Sequence, residues 1–442
     1  LVTFIPLIKT VAQVLQDRKA IEDHKKKKLP GLVPLVGVNI AISHKGFAKL
    51  GIDDSSLSPG GANDPFFLGQ EQDAINSLGD PRKSDGTTPD WDDHFLQDIH
   101  GLILISGESL ATIEKKKAEI DLIFKVNTPL SSIKEIITIR GDVRPGDQSA
   151  HEHFGFLDGV SNPAVNGFDT VIDPGPNPVD PGVIVTGHAG DPALLTRAPW
   201  AVDGSFLVFR WLFQQVPEFD EFLKAHPLAK DGNGKELTPA EGSDLLGARI
   251  VGRWKSGAPI DITPFQDDPE LGADPARRNN FRFAGEGSSQ LRCPFAAHVR
   301  KTNPRDDLEA PPPPNPASLV QPRRIMRRGV QFGPELTAAE IASGKTQHSR
   351  GLLFTCYQAS IFDGFQFLQL KWADNKNFPP FTGKPFPAGL DPLIGQGIRV
   401  TAGLDPNNES GDTTLDPFII PKGGEYFFSP GLNGLKSTIA KA

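Results

Sequence analysis

The 442-residue chain is poor in sulfur, with 2 cysteines, Cys293 and Cys356, and 1 methionine, Met326. Two thiols without a CxxC pair exclude a disulfide framework and a cysteine-ligated zinc site. No uninterrupted apolar run approaches the roughly 20 residues that cross a bilayer, so no membrane span is expected. An excess of positive charge is missing as well. The formal net charge of -8 offers no field to gather phosphate backbones or anionic lipid, so nucleic acid is not expected as a partner. No initiator methionine or signal-peptide pattern stands at Leu1, so a mature or trimmed product is expected. One glycosylation sequon, Asn408-Glu409-Ser410, is compatible with secretion.

Tyrosine is the other scarcity: 2 residues, Tyr357 and Tyr426, against 29 phenylalanines. Phenylalanine packs as tyrosine does but has no phenol to lose an electron, and methionine is readily converted to its sulfoxide. This skew suits a protein working beside a strong oxidant; compositional drift accounts for it equally well.

What is present reads as mixed α and β structure. Leu35 to Ile42 predicts a strand entered through Pro34, and Ser43 to Leu50 a short helix with Ser43 as its cap. Leu102 to Ile105 predicts a second strand feeding a helix from Ser109 to Phe124, with Leu110, Ile113, Ile120 and Phe124 on or near one face. Glu135 to Arg140 predicts a third strand. In the second half, Ser205 to Trp211 alternates like a strand and Pro217 to Ala225 is helical in pattern. Thr238-Pro239-Ala240-Glu241 has the form of a capping box opening the next helix, and Leu352 to Tyr357 reads as a strand before a helix from Phe362 to Trp372. The uneven spacing of strands favours α+β layers over a doubly wound sheet. The polyproline stretch between Glu309 and Arg323 predicts an exposed, stiff spacer, and Lys25 to Lys28 a solvated loop.

Chemistry concentrates in three segments. Residues 151 to 163 read HEHFGFLDGVSNP and set Asp158 between glycines in a largely apolar loop. A lone Asp-Gly pair is most often a turn whose acid caps an amide. Residues 293 to 305 read CPFAAHVRKTNPR, with His298 after an apolar run and Arg300, Lys301 and Arg305 close behind. A neutral imidazole can ligate heme iron and nearby cations can pair with its propionates, whereas any one of 10 histidines is more often a surface or hydrogen-bonded group. Residues 325 to 334 read IMRRGVQFGP, where Arg327 and Arg328 could both be ordinary surface cations.

Taken together with GRWKSGAPID (Gly252 to Asp261), RGLLFTCYQ (Arg350 to Gln358), GLDPLIGQ (Gly389 to Gln396) and PKGGEYFFSP (Pro421 to Pro430), the order of these segments closely resembles fungal dye-decolorizing peroxidases from about Leu35 to the C-terminus. The resemblance implies an α+β fold of two ferredoxin-like sandwiches (a dimeric α+β barrel-like arrangement), with an N-terminal domain at 1–145 and a C-terminal domain at 146–442. It implies one heme b in the C-terminal half. Asp158 then resembles the distal acid-base residue, Arg327 the distal arginine and His298 the axial ligand of the heme iron. Asp391 stands where the family has an acid, often glutamate, that accepts from the ligand imidazole. Leu352 and Phe354 would wall the distal pocket and Arg305 resembles a propionate contact. Trp372 resembles a surface electron relay, against the simpler reading of a core tryptophan. Phe332 replaces a tyrosine frequent in relatives, and the asparagine- or aspartate-rich opening and QGD motif of relatives do not precede Leu1.

The implied activity is oxidation of bulky dyes, small phenols and lignin-related aromatics by hydrogen peroxide, from a secreted, extracellular monomer. A heme-handling protein without fast turnover is the alternative within the fold; it needs neither Asp158 nor Arg327. A metal-free hydrolase built on Asp158 and His153 lacks a serine elbow and an evident cysteine nucleophile.

Overall fold

After the Thr10-capped helix Val11–Lys26, Ser43 both closes the first strand and starts the next helix. The apolar run behind Pro34 forms β1 (Val36–Ile42), and the hydroxyl of Ser43 then accepts the amide of Gly46 at the head of the helix His44–Leu50. That helix lies flush on the entry to β2 (Gly101–Gly107): a Cβ on Gly46 would stand 1.9 Å from the carbonyl oxygen of His100. After β2, the hydroxyl of Ser109 caps the helix Leu110–Phe124, which buries Ile120 and Phe124 and leaves Leu110 exposed. In this computed structural model the described residues are 1–58, 60–286, 288–309, 319–380 and 383–442. The core of the expected polyproline spacer, residues 310–318, lies outside them.

Seven further strands follow among the described residues: β3 (Ser205–Gln214), β4 (Met326–Arg327), β5 (Val330–Phe332), β6 (Gly351–Gln358), β7 (Arg399–Ala402), β8 (Asp412–Leu415) and β9 (Ile419–Ser429). Seven of the strands form one antiparallel sheet in the order β2-β1-β9-β3-β6-β4, with β5 also on β6, and β7 and β8 make a separate pair. The α+β expectation is met. Strands from residues 36–107 continue the sheet of the second half through the pairing of Ile42 with Phe428.

The expected strand from Glu135 to Arg140 does not form. These residues are extended without a ladder, and Ile137 and Ile139 instead cover the sheet face that holds Leu207, Phe209, Leu353 and Phe427. Alternating apolar residues specify a half-buried extended segment, but a strand also needs a free edge to pair with.

Alternation along the strands sorts the two faces of the sheet. One face carries Phe206, Val208, Cys356, Tyr426 and Phe428, packed with Phe47 and Phe66. The other carries Leu207, Phe209 and Phe427, packed with Trp91 and Phe95. The Thr238 capping box opens the helix Pro239–Val251, and the segment Phe362 to Ala373 is helical with wide, π-type turns. No helix among the described residues is long and apolar enough to cross a membrane.

Candidate active site

The loop around Asp158 is held by groups whose role is easy to miss in the sequence. Glu152 is half-buried, and its carboxylate accepts the amides of Phe154 and Phe156 and the side-chain amide of Gln214. Phe154 and Phe156 enter the core beside Phe219 and Leu246. Gly155 and Gly159 take φ of +91° and +73°, conformations that side chains resist. The loop is thereby turned so that Asp158 projects away from the core that anchors it.

Arg327 meets it from the sheet. The pairing of Arg327 with Cys356 places its side chain on the face of β6 that also carries Leu352 and Phe354. Its Nη1 donates to Asp158 Oδ1 at 2.8 Å, its Nη2 to the carbonyl of Ser161, and its own amide to Asn162 Oδ1. Asp158 Oδ1 also accepts the amide of Gly159 at 2.6 Å, so Oδ2 is the oxygen left for a ligand. Burial works to raise the Asp158 carboxyl, but the Arg327 guanidinium and the Gly159 amide outweigh it and hold the acid below its ordinary value.

His298 begins the short helix His298–Thr302, and its Nδ1 lies 2.8 Å from Asp391 Oδ2. Asp391 is fully buried, and its other oxygen accepts the amides of Leu393 and Ile394. Burial opposes charge on both partners, yet their mutual attraction wins: the carboxyl is held below its usual value and the imidazole above its own. An ionised carboxylate only accepts, so Nδ1 carries a proton, and in the neutral ring the lone pair is on Nε2. Among the described residues, no hydrogen bond engages Nε2. His298 feels the charges of both Asp158 and Arg327. Side chains of Arg327, Asp158 and His298 keep 33%, 27% and 28% of their surface accessible, so the three line a space instead of packing against protein.

A cleft beside this space is lined by Phe281, Asn303, Arg305, Gln321 and Arg324. Arg305 is buried; its Nη1 donates to the carbonyls of Asn279 and Phe281, while Nε and Nη2 have no partner among the described residues. The Arg324 guanidinium makes one hydrogen bond among the described residues, to Asn303 Oδ1. Burial, then the neighbouring guanidiniums, pull Arg305 far below its ordinary value, and burial with Arg327 pulls Arg324 down to about 10. Buried cations with no carboxylate bonded to them among the described residues call for an anion. Arg300 is already satisfied by both oxygens of Asp307, and Lys301 donates to the carbonyl of Asn375.

Residues 1–145 match the DyP dimeric alpha+beta barrel domain. The chain is 46% identical over 412 residues to a dye-decolorizing peroxidase of Auricularia auricula-judae, covering 91% of this chain and 75% of the relative. The chain belongs to the dye-decolorizing peroxidase family. A solved ancestral D-type dye-decolorizing peroxidase is 55% identical, with a TM-score of 0.91 over 99% of this chain and 91% of the other. A variant of the Pleurotus ostreatus dye-decolorizing peroxidase is 50% identical, with a TM-score of 0.92 over the same shares. The chain is therefore an oxidoreductase of the peroxide-using kind, in a family of heme-dependent enzymes.

The residues of this dye-decolorizing peroxidase fit a heme. With Nδ1 held by Asp391, the Nε2 of neutral His298 would hold heme iron, and the Nε and Nη2 of Arg305, without a partner among the described residues, would suit a propionate. The structure brings Asp158, Arg327, His298 and Asp391 together, with Leu352 and Phe354 half-buried on the same side of β6 as Arg327. Trp372 is buried and stacked on Phe378 with ring centroids 5.1 Å apart, one residue before Ala373, whose carbonyl accepts the amide of Asp391. The hydrolase alternative fails on geometry, since His153 is turned to the carbonyl of Phe332. Glu152, Asn162 and Arg324 had no distinguishing sequence signal beyond lying in or beside the motif runs.

Proposed function

We propose that this peroxidase holds one heme b through His298 and uses hydrogen peroxide to oxidise bulky dyes and small phenols, with Asp158 and Arg327 as its catalytic pair. One observation carries the reading: a carboxylate with one engaged and one free oxygen, bonded to a permanent cation, lies within electrostatic reach of a histidine whose Nε2 has no hydrogen-bond partner among the described residues. When bound, heme supplies a redox-active iron that takes oxidising equivalents from peroxide and passes them on singly.

The chain's own groups handle the protons. Asp158 Oδ2 accepts a proton from one peroxide oxygen and returns it to the other, so that the O–O bond divides unevenly. Arg327 keeps Asp158 ionised for the first transfer and presents its guanidinium to negative charge on the departing oxygen. Asp391 fixes the His298 tautomer and increases its electron donation. Leu352 and Phe354 narrow the pocket, so electrons from a dye must cross protein. Trp372 is our relay candidate because its indole is the one readily oxidised ring in a cluster otherwise made of Phe367, Phe378 and aliphatics. A solved relative is a complex with 2,6-dimethoxyphenol, which supports phenols as one substrate class. The exposed Asn408 sequon supports a secreted enzyme.

The test is Asp158→Asn. Heme absorption should be unchanged while the rate of reaction with peroxide falls by about 10²–10⁴-fold; normal peroxide reactivity in that variant removes Asp158 from the mechanism.

A further inference from the structure

Tyr426 is one of only 2 tyrosines in the chain, and it is fully buried. Its hydroxyl donates to Asp73 Oδ2 at 2.6 Å, and Asp73 Oδ1 accepts from Gln366 Nε2, also at 2.6 Å. Asp73 is as inaccessible as the phenol. Every other ring packed around this pair on its side of the sheet is phenylalanine or tryptophan, including Phe47, Phe66, Phe206 and Phe428.

Sheet register ties this pair to the active site. Tyr426 pairs with Val208, Val208 with Cys356, and Cys356 with Arg327. Directly opposed residues in antiparallel ladders share a face, so Tyr426 and Arg327 lie on one face, three strand spacings or roughly 14 Å apart. A second link runs through rings: Tyr426 to Phe365 at 6.2 Å, and Phe365 to Phe354 at 6.1 Å, where Phe354 borders the pocket. Tyr357 sits with Val165 and Met326 instead, and no described carboxylate accepts its hydroxyl.

We propose that Tyr426 and Asp73 form an internal redox site that receives an oxidising equivalent from the peroxide-treated heme site and stores it as a neutral tyrosyl radical. The inference rests on the heme-peroxidase reading and adds a residue pair to it. In the transfer, the Tyr426 O–H bond breaks and an Asp73 O–H bond forms; tyrosine loses one electron and the heme site gains it. A reducing phenol later returns the electron, and Asp73 returns the proton. Oxidising a buried phenol without a proton acceptor would leave an uncompensated positive charge in a dry interior. Asp73 removes that obstacle. Burial pushes the Asp73 carboxyl up, which makes it a better acceptor, and burial together with Asp73 keeps the resting phenol protonated.

The experiment uses the heme-loaded chain carrying Tyr357→Phe, in which Tyr426 is the sole tyrosine, prepared with ordinary and with ring-deuterated tyrosine. Each sample is mixed with hydrogen peroxide without reducing substrate, frozen, and examined by electron paramagnetic resonance. The expected result is an organic radical whose hyperfine structure narrows on deuteration. Tyr426→Phe should lose that signal, and Asp73→Asn should lower its yield while heme absorption persists. If the optical spectrum responds to peroxide but no deuterium-sensitive radical forms, the proposal is overturned while the peroxidase reading stands. A heme-loaded protein whose spectrum ignores peroxide overturns both.

Discussion

Asp391 accepts from Nδ1 of His298 at 2.8 Å while the amides of Leu393 and Ile394 hold its second oxygen, so the imidazole is oriented by a carboxylate that is itself immobile. The pair joins residues 93 positions apart. The Gly389–Thr401 bridge draws the loop that carries Asp391 against β7.

Asp391→Asn should therefore weaken heme retention about 10–100-fold and move the reduction potential upward, because a neutral amide donates less to the imidazole. Heme transfer to apomyoglobin and a spectroelectrochemical titration measure the two effects. An unchanged potential would show that Asp391 only positions the ring.

Asp158 is held below its ordinary value by Arg327 against the opposing pull of burial. The unprotonated form is the proton acceptor, so peroxide reactivity in the native protein persists as pH falls and is lost only below the usual carboxylate range. With Arg327→Leu, burial acts unopposed by that cation, and the acid limb of the pH profile moves up. Stopped-flow rates with peroxide across acid pH read the shift; an acid limb that does not move would mean another group controls it.

Arg324 is a buried cation whose guanidinium makes one hydrogen bond among the described residues, to a neutral group. Arg324→Met removes a charge that the unloaded protein holds at a cost, so its denaturation midpoint should hold or rise. Heme affinity should drop by about 10- to 100-fold, the worth of a hydrogen bond to a charged group. A variant destabilised in the unloaded form but unchanged in heme affinity would place Arg324 in the scaffold alone.

Trp372→Phe keeps an aromatic ring against Phe378 and removes the easily oxidised indole. Turnover of bulky dyes should fall while that of small phenols is spared. Equal losses for both substrate classes would assign Trp372 to packing.

Much of the site was readable because its chemistry sits in short runs. Asp158 lies between two glycines that the turn requires, and His298 and Arg327 lie in segments whose neighbours also serve the site. Glu152 and Arg324 were not readable, since their importance comes from which groups the fold places against them. Arg300 shows the reverse: a cation close behind the histidine looked available for an anion, but Asp307 already holds it. The segment from Glu135 to Arg140 had the alternation of a strand, and only the arrangement of edges decided that it would cover the sheet instead of joining it.

Sequence by itself determined what depends on near neighbours: the Ser43 cap, the Thr238 capping box, the glycine-framed turn at Asp158 and the lack of disulfide pairing. These rest on hydrogen bonds and dihedral preferences spanning a few residues. Tertiary structure alone decided that Arg327 would reach Asp158 across 169 positions and that Tyr426 would share a sheet face with it. Antiparallel register sets such meetings, and register is chosen by burying whole faces of strands at once, a cooperative outcome that no local pattern contains.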